Sequence, residues 1–224
     1  MSDPRYYTLV ASLPALPQFK RAELLPINRQ RLEERLRLLS NEDTNTLTKA
    51  RAVVEWGAHT ANRTDAEFIR RYEIARSATS CDFLLSTLLF RINIRTIIAA
   101  LRRRLRGEIT GPSSSPWGAG PWVAHIERNW RSADFKLEPV FPWITPARQH
   151  LENGESAALE ELLMEIVWNN LGNVPIGRDF ALDAVIAFVF KWDIIERRLA
   201  YSGPAARNRF SDLGTRILAT SPTL

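Results

Sequence analysis

Cysteine is nearly missing from this 224-residue chain: Cys81 stands alone. No disulfide can form within the chain, which fits a reducing compartment. Histidine is scarce too. His59, His125 and His150 lie far apart, and none has a second His or Cys at metal-ligand spacing. Each is expected to serve packing or the surface, and no metal or other cofactor is expected. There is no long apolar run. The longest uninterrupted one is Ala184 to Phe190, against about 20 residues for a bilayer span, so no membrane crossing is predicted. The opening residues, MSDPRYYTLV, do not have the basic-then-apolar form of a signal peptide.

Nucleotide chemistry is absent as a pattern. No G-x-x-x-x-G-K-[ST] occurs. The Gly118-x-Gly120 pair runs into Pro121 with no strand before it, which argues against a dinucleotide loop. The serines at 113–115 are loop composition rather than a nucleophile elbow. Glu160, Glu161 and Glu165 cluster on a helical pattern, but with no companion base they read as a solvated acidic face. No catalytic residue is expected, and the chain is not expected to be an enzyme.

What is present is arginine. The net charge is +5, and it is uneven. Residues 1–112 hold 19 Lys or Arg against 12 Asp or Glu, a net of +7; residues 113–224 hold 11 against 13, a net of −2. Lysine occurs only at Lys20, Lys49, Lys136 and Lys191. Arginine's planar fork suits bidentate and stacked contacts at protein interfaces or phosphates. The seven tryptophans lie mostly in the acidic half, apart from the arginines, which argues against a nucleic-acid surface.

Apolar spacing predicts an all-α protein, a multi-helix bundle. Leu32, Leu36 and Leu39 form one stripe after Pro26, and Leu47, Ala50 and Val54 form the next, with Ser40 as the cap between them. Thr64 and Glu67 have capping-box spacing for a helix ending near Ser77. A long helix is expected from about Ser80 to Arg106, stopped by Gly107. Residues 107–122 read as a flexible loop and Trp122 to Trp130 as a short helix. "EPVFPWITP" reads as extended, because each proline biases the residue before it away from helix. One helix is then expected from Thr145 to Gly172 along Leu159, Leu162 and Ile166. Another spans 179–201, apolar nearly all round, and a last short one begins at Pro204. "YYTLVASL" is the one strand-like stretch, expected as a short extended N-terminal segment or an early helix. The chain divides into an N-terminal helical region (1–110), a Gly/Pro/Ser-rich loop with a short helix (111–145) and a C-terminal helical region (146–224), expected to form one compact domain.

The segment "FRINIRTIIAALRRRLRG" (90–107) carries six arginines. At 100° per residue, Phe90, Ile94, Ile97, Leu101 and Leu105 share a face, and Arg91, Arg95, Arg102 and Arg106 form an adjacent row. Burial of the apolar face at roughly 1.5–3 kcal/mol per large side chain makes this first a core helix. The arginine row is the candidate partner-facing surface, with a plain solvated basic face as the alternative. Arg104 falls near the apolar face, so either the helix ends earlier or this arginine snorkels or pairs with an acid. Asn93, among apolar neighbours, is the candidate structural polar residue, its amide expected to be hydrogen-bonded.

Three segments, "YYTLVASLPAL" at Tyr6 to Leu16, "NWRSADFKL" at Asn129 to Leu137 and "FALDAVIAFVFKWDIIERR" at Phe180 to Arg198, resemble in their order a bacterial family of unknown function encoded with V-type ATPase subunits. More distantly the chain is similar to the C/d-type socket protein of V/A-type ATPases. Asn93-Ile94-Arg95-Thr96-Ile97-Ile98 continuing to Arg102 resembles one of that family's helices, and Lys191, Asp193, Glu196 and Arg197 resemble a later one that lacks its expected asparagine here. The resemblance implies repeated helical units, faintly echoed by Ile97-Ile98/Arg102-Arg103/Gly107 and Ile194-Ile195/Arg197-Arg198/Gly203. It implies a non-catalytic socket coupling the central-stalk subunits to the membrane proteolipid ring, cytoplasmic and peripheral on the inner face of the membrane. It also implies large obligate interfaces, upwards of roughly 2,000 Å². The alternatives are an assembly or accessory factor of the same machine and a basic helical nucleic-acid-binding protein.

Overall fold

The computed structural model describes residues 4–54, 65–109 and 117–201. These form nine α-helices: α1 Pro4–Ser12, α2 Arg29–Leu36, α3 Asn41–Val54, α4 Asp65–Ser77, α5 Asp82–Leu105, α6 Val123–Arg128, α7 Ile144–Glu152, α8 Ser156–Asn170 and α9 Leu182–Tyr201, with a short 3₁₀ turn at Phe19–Arg21. No strand occurs among the described residues, so the all-α expectation holds.

Local chemistry sets the ends of several helices. Asn28, rather than Pro26, opens α2: its side chain accepts from the Arg31 N–H at 2.9 Å. Ser40 caps α3 as expected, accepting from the Asp43 N–H at 3.0 Å. Gly107, with φ +89°, ends α5. Gly107 donates to the Arg104 carbonyl and Glu108 to the Arg103 carbonyl, the paired bonds of a Schellman stop. The Thr64 cap and the helix at Pro204 lie outside the described residues.

Three expectations are corrected. Residues 6–13 take the early-helix alternative and not the extended one: they belong to α1 and the turn after it. Leu9 turns into the core, and Tyr6 donates to Asp43 at 2.7 Å. Tyr6, Val10 and Leu13 pack half-buried beside Leu9, while Tyr7 is exposed and stacks on Phe180. "EPVFPWITP" is not extended: it is a run of turns leading into α7 at Ile144, with Val140 and Phe141 both donating to the Leu137 carbonyl. The helix expected over 145–172 is two, α7 and α8, separated at Asn153–Glu155, where Gly154 has φ +72°. That left-handed residue turns the chain so that α7 and α8 pack on each other.

One hydrophobic core runs from Leu9 to Ile194. α5 packs against α3, α4, α6, α7, α8 and α9, and α9 against α1, α3, α5 and α8, so these two long helices are its centre. By length and composition α5 alone among the described helices could span a bilayer, but most of its apolar window is buried against its neighbours.

Candidate partner-docking surface

The arginine row on α5 is divided by what packs over it. At its N-terminal half α4 covers the row: the Arg95 guanidinium lies 4.0 Å from the Phe68 ring centroid, a cation–π contact. Arg91 is drawn inward. Burial first, then the charges of Arg95 and Arg197, push its guanidinium down to about 9, still protonated at neutral pH. Burial of this kind disfavours the charged form because the interior solvates it poorly. The C-terminal half stays open. Arg102 and Arg106 are exposed, and partial desolvation followed by the neighbouring Arg106 charge lowers the Arg102 pKa. Arg106 lies 3.5 Å from Glu108, which also takes Arg103 at 3.4 Å. Of the four candidate residues, then, two are spent on internal packing and two face solvent.

The apolar face also ends differently from expectation. Ile94, Ile97 and Leu101 are buried and Phe90 is half-buried, but Leu105 is 53% exposed. Ile109, just past the Gly107 stop, is 85% exposed. Helical spacing alone could not reveal this, since it says which side chains share a face and not where the covering helices end.

Arg104 neither snorkels nor meets an acid. It donates to the Ser132 carbonyl and lies over the Phe135 ring, 5.4 Å from its centroid. Trp130 donates to the Glu108 carbonyl at 2.8 Å, tying the 129–136 turn to the same end of α5. Among the described residues, that turn carries the non-glycine residues with left-handed backbone: Phe135 and Lys136 have φ 55° and 57°. Such residues are strained unless neighbours hold them. Asp134 does so, accepting from the Ser132 hydroxyl (2.7 Å) and the Lys136 N–H (3.0 Å). His125 Nε2 donates to the Phe135 carbonyl at 3.0 Å. The hydrogen bond to Ser132, then those from the backbone, hold the Asp134 carboxyl below its ordinary pKa.

The segment before α6 lies tightly on α5. Thr96 exchanges two hydrogen bonds with Ala119, donating to its carbonyl (2.8 Å) and accepting from its N–H (3.1 Å). The glycines on either side permit this approach. A Cβ on Gly118 would come within 2.7 Å of Thr96 Cγ2, and one on Gly120 (φ +91°) within 2.9 Å of Asn93 Oδ1. The Gly-x-Gly is therefore a contact pad against a helix, and this part of the expected flexible loop is docked. Asn93 is buried as expected, but its Oδ1 accepts no hydrogen bond among the described residues.

A second set of polar residues, the expected solvated face of α8, is paired. Glu160 accepts from Arg197, Glu161 lies 3.5 Å from Arg198, and Glu165 lies 2.8 Å from Lys20. On the other side of α9, Arg51 grips Asp193 with two hydrogen bonds (2.9 and 2.6 Å) and reaches Glu33 at 2.9 Å. Arg29 pairs with Glu196 and lies over Trp192. Burial raises the Asp193 carboxyl against the pull of Arg51 and Arg29. The Arg51–Asp193 and Arg29–Glu196 pairs join residues 142 and 167 positions apart, a relation that no local spacing carries.

Among the described residues no group of three or more His, Cys, Asp or Glu is placed to hold a metal ion. His125 is used in packing, His150 pairs with Glu155 at 2.7 Å, and His59 lies outside the described residues. No family model matches the chain, and neither does any curated protein or solved structure.

Proposed function

We propose that this chain is a non-catalytic component of a bacterial V-type ATPase, a C/d-type socket between the central stalk and the membrane proteolipid ring, on the cytoplasmic face. One observation carries the reading. The basic row of α5 begins inside the molecule, anchored on α4, and emerges at one end as exposed Arg102, Leu105 and Arg106. A cationic and apolar surface fixed to a core helix has the form of a docking point, where arginine and aliphatic side chains are held in place before the partner arrives. Two further features support it. The segments resembling the ATPase-associated family form α1, the 129–136 turn and the central helix α9. The body is all helix, and long-range ion pairs join α9 to α2, α3 and α8, a construction suited to transmitting force.

The same surface would serve an assembly factor that engages the machine transiently. Affinity purification of the full chain from native membranes separates the two. Proteolipid ring and stalk proteins recovered with it, at one copy per intact complex, are expected. Recovery with immature subcomplexes only would replace the permanent socket by an assembly factor. Recovery of the chain without ATPase components would overturn both. Nucleic acid retained through purification and lost steeply with salt would favour the remaining alternative.

A further inference from the structure

The open end of α5 has a chemistry more specific than a basic patch. Leu105 and Ile109 project from a helix terminus and the residues just past it, 53% and 85% exposed. Arg102 and Arg106 stand beside them. The 129–136 turn, tied here by the Arg104 contact to Ser132 and by Trp130, adds exposed Arg131 and Lys136 around the same end. Between residues 101 and 137 the chain holds seven Lys or Arg against three Asp or Glu, a net of +4 in a protein of net +5. Glu108 is shared by Arg103 and Arg106, and Asp134 is held by its own turn; Glu127, exposed, accepts from the Trp117 indole at 3.0 Å and keeps its charge. The balance around the two aliphatic tips is still positive.

We propose that this end of α5 docks on an anionic lipid surface, with Leu105 and Ile109 entering the headgroup layer and Arg102 and Arg106 on the lipid phosphates. Projecting apolar tips ringed by cations are the arrangement that interfacial binding uses, since the tips leave water while the charges stay at headgroup depth. Arginine's fork also matches phosphate oxygens in pairs. The docking mode deepens the rotor reading and rests on its membrane-side placement, not on the identity of the assembly.

The test is co-sedimentation of the full chain with phosphatidylcholine vesicles, pure or containing about one-third phosphatidylglycerol. Preference for the anionic vesicles, weakening as salt is raised, is expected. A cation near such a surface contributes about 1 kcal/mol, about fivefold in partitioning, so Arg102→Gln with Arg106→Gln should lower binding about 30-fold. Leu105→Ser with Ile109→Ser should lower it about tenfold or more. Arg21→Gln with Arg37→Gln, exposed elsewhere, should leave it nearly unchanged. Equal loss in both arginine pairs would mean attraction by net charge alone and would overturn the proposal. So would equal binding to pure phosphatidylcholine, or no vesicle binding alongside retention on immobilised polyglutamate. Circular dichroism confirms that each variant is folded. Vesicle binding with no ATPase components in the membrane purification would leave lipid docking standing and remove the rotor assignment; the reverse result would do the opposite.

Discussion

α5 and α9 are the two long helices of the core, and both run an isoleucine pair into an arginine pair. In α5, Ile97-Ile98 precede Arg102-Arg103; in α9, Ile194-Ile195 precede Arg197-Arg198. All four isoleucines are buried. The arginines diverge. Arg197 and Arg198 reach acids on α8, and Arg198 also donates to the Ala22 carbonyl at 3.0 Å. Arg102 stays exposed, and Arg103 reaches Glu108 across its own helix stop. A similar sequence pattern makes an internal clasp where a neighbouring helix lies opposite and an outward surface where the covering helices have ended. Charge position thus divides the molecule into a closed side around α9 and an open end on α5.

The sharpest way to break this contrast is at the centre of α9. Trp192 is fully buried and donates to the Ile27 carbonyl at 2.9 Å. Trp192→Ala should lower the unfolding free energy by about 3–5 kcal/mol, read from denaturant midpoints. Next comes the clasp. Arg51→Gln leaves the half-buried Asp193 without its main partner, with only Arg29 at 3.8 Å remaining, and should cost about 1–3 kcal/mol. If Arg51→Gln behaves like a surface change, α9 is not closed by its ion pairs and the contrast with α5 fails.

Gly120→Ala probes the contact pad on α5. A Cβ at φ +91° meets Asn93 Oδ1, so a loss of about 1–3 kcal/mol is expected in the same measurement. A smaller effect is expected from acid. The hydrogen bonds from Arg70 and then Arg71 hold the Glu67 carboxyl down at about 2. Because the folded pKa lies below the unfolded one, this contribution is complete above about pH 4.5 and is lost as pH falls toward 2. Glu67→Gln should flatten the dependence of the urea midpoint on pH in that window. Smallest of all, Arg102→Gln should change stability by less than about 0.5 kcal/mol. A larger loss would mean that this arginine belongs to the closed side after all.

Much of this fold is legible in local chemistry. Ser40 caps α3 and Gly107 stops α5 because a hydroxyl before an apolar stripe and a glycine after one answer the unpaired backbone groups at helix ends. α9 is recognisable as central because its apolar residues point in all directions. The departures have identifiable causes, only some of them local. α1 has the composition of a strand but the burial pattern of a helix, because α9 and α2 lie against it. Gly154 divides α7 from α8 with a single left-handed residue that a stripe of leucines does not register. At the candidate surface, the arginine row follows from helical geometry, but its division into an inner and an outer half does not.

The order of residues alone determined that this chain is helical, where several helices start and stop, and that α5 carries an apolar face beside an arginine row. These follow from a repeat of 3.6 residues and from the hydrogen-bonding needs of helix ends. Only the tertiary structure decided that Arg95 rests on Phe68, that Glu160, Glu161 and Glu165 are paired, and that Leu105, Ile109, Arg102 and Arg106 remain outside. The reason is physical: whether a charge or an aliphatic tip meets water depends on what the rest of the chain lays over it, and those covering residues lie far away in sequence.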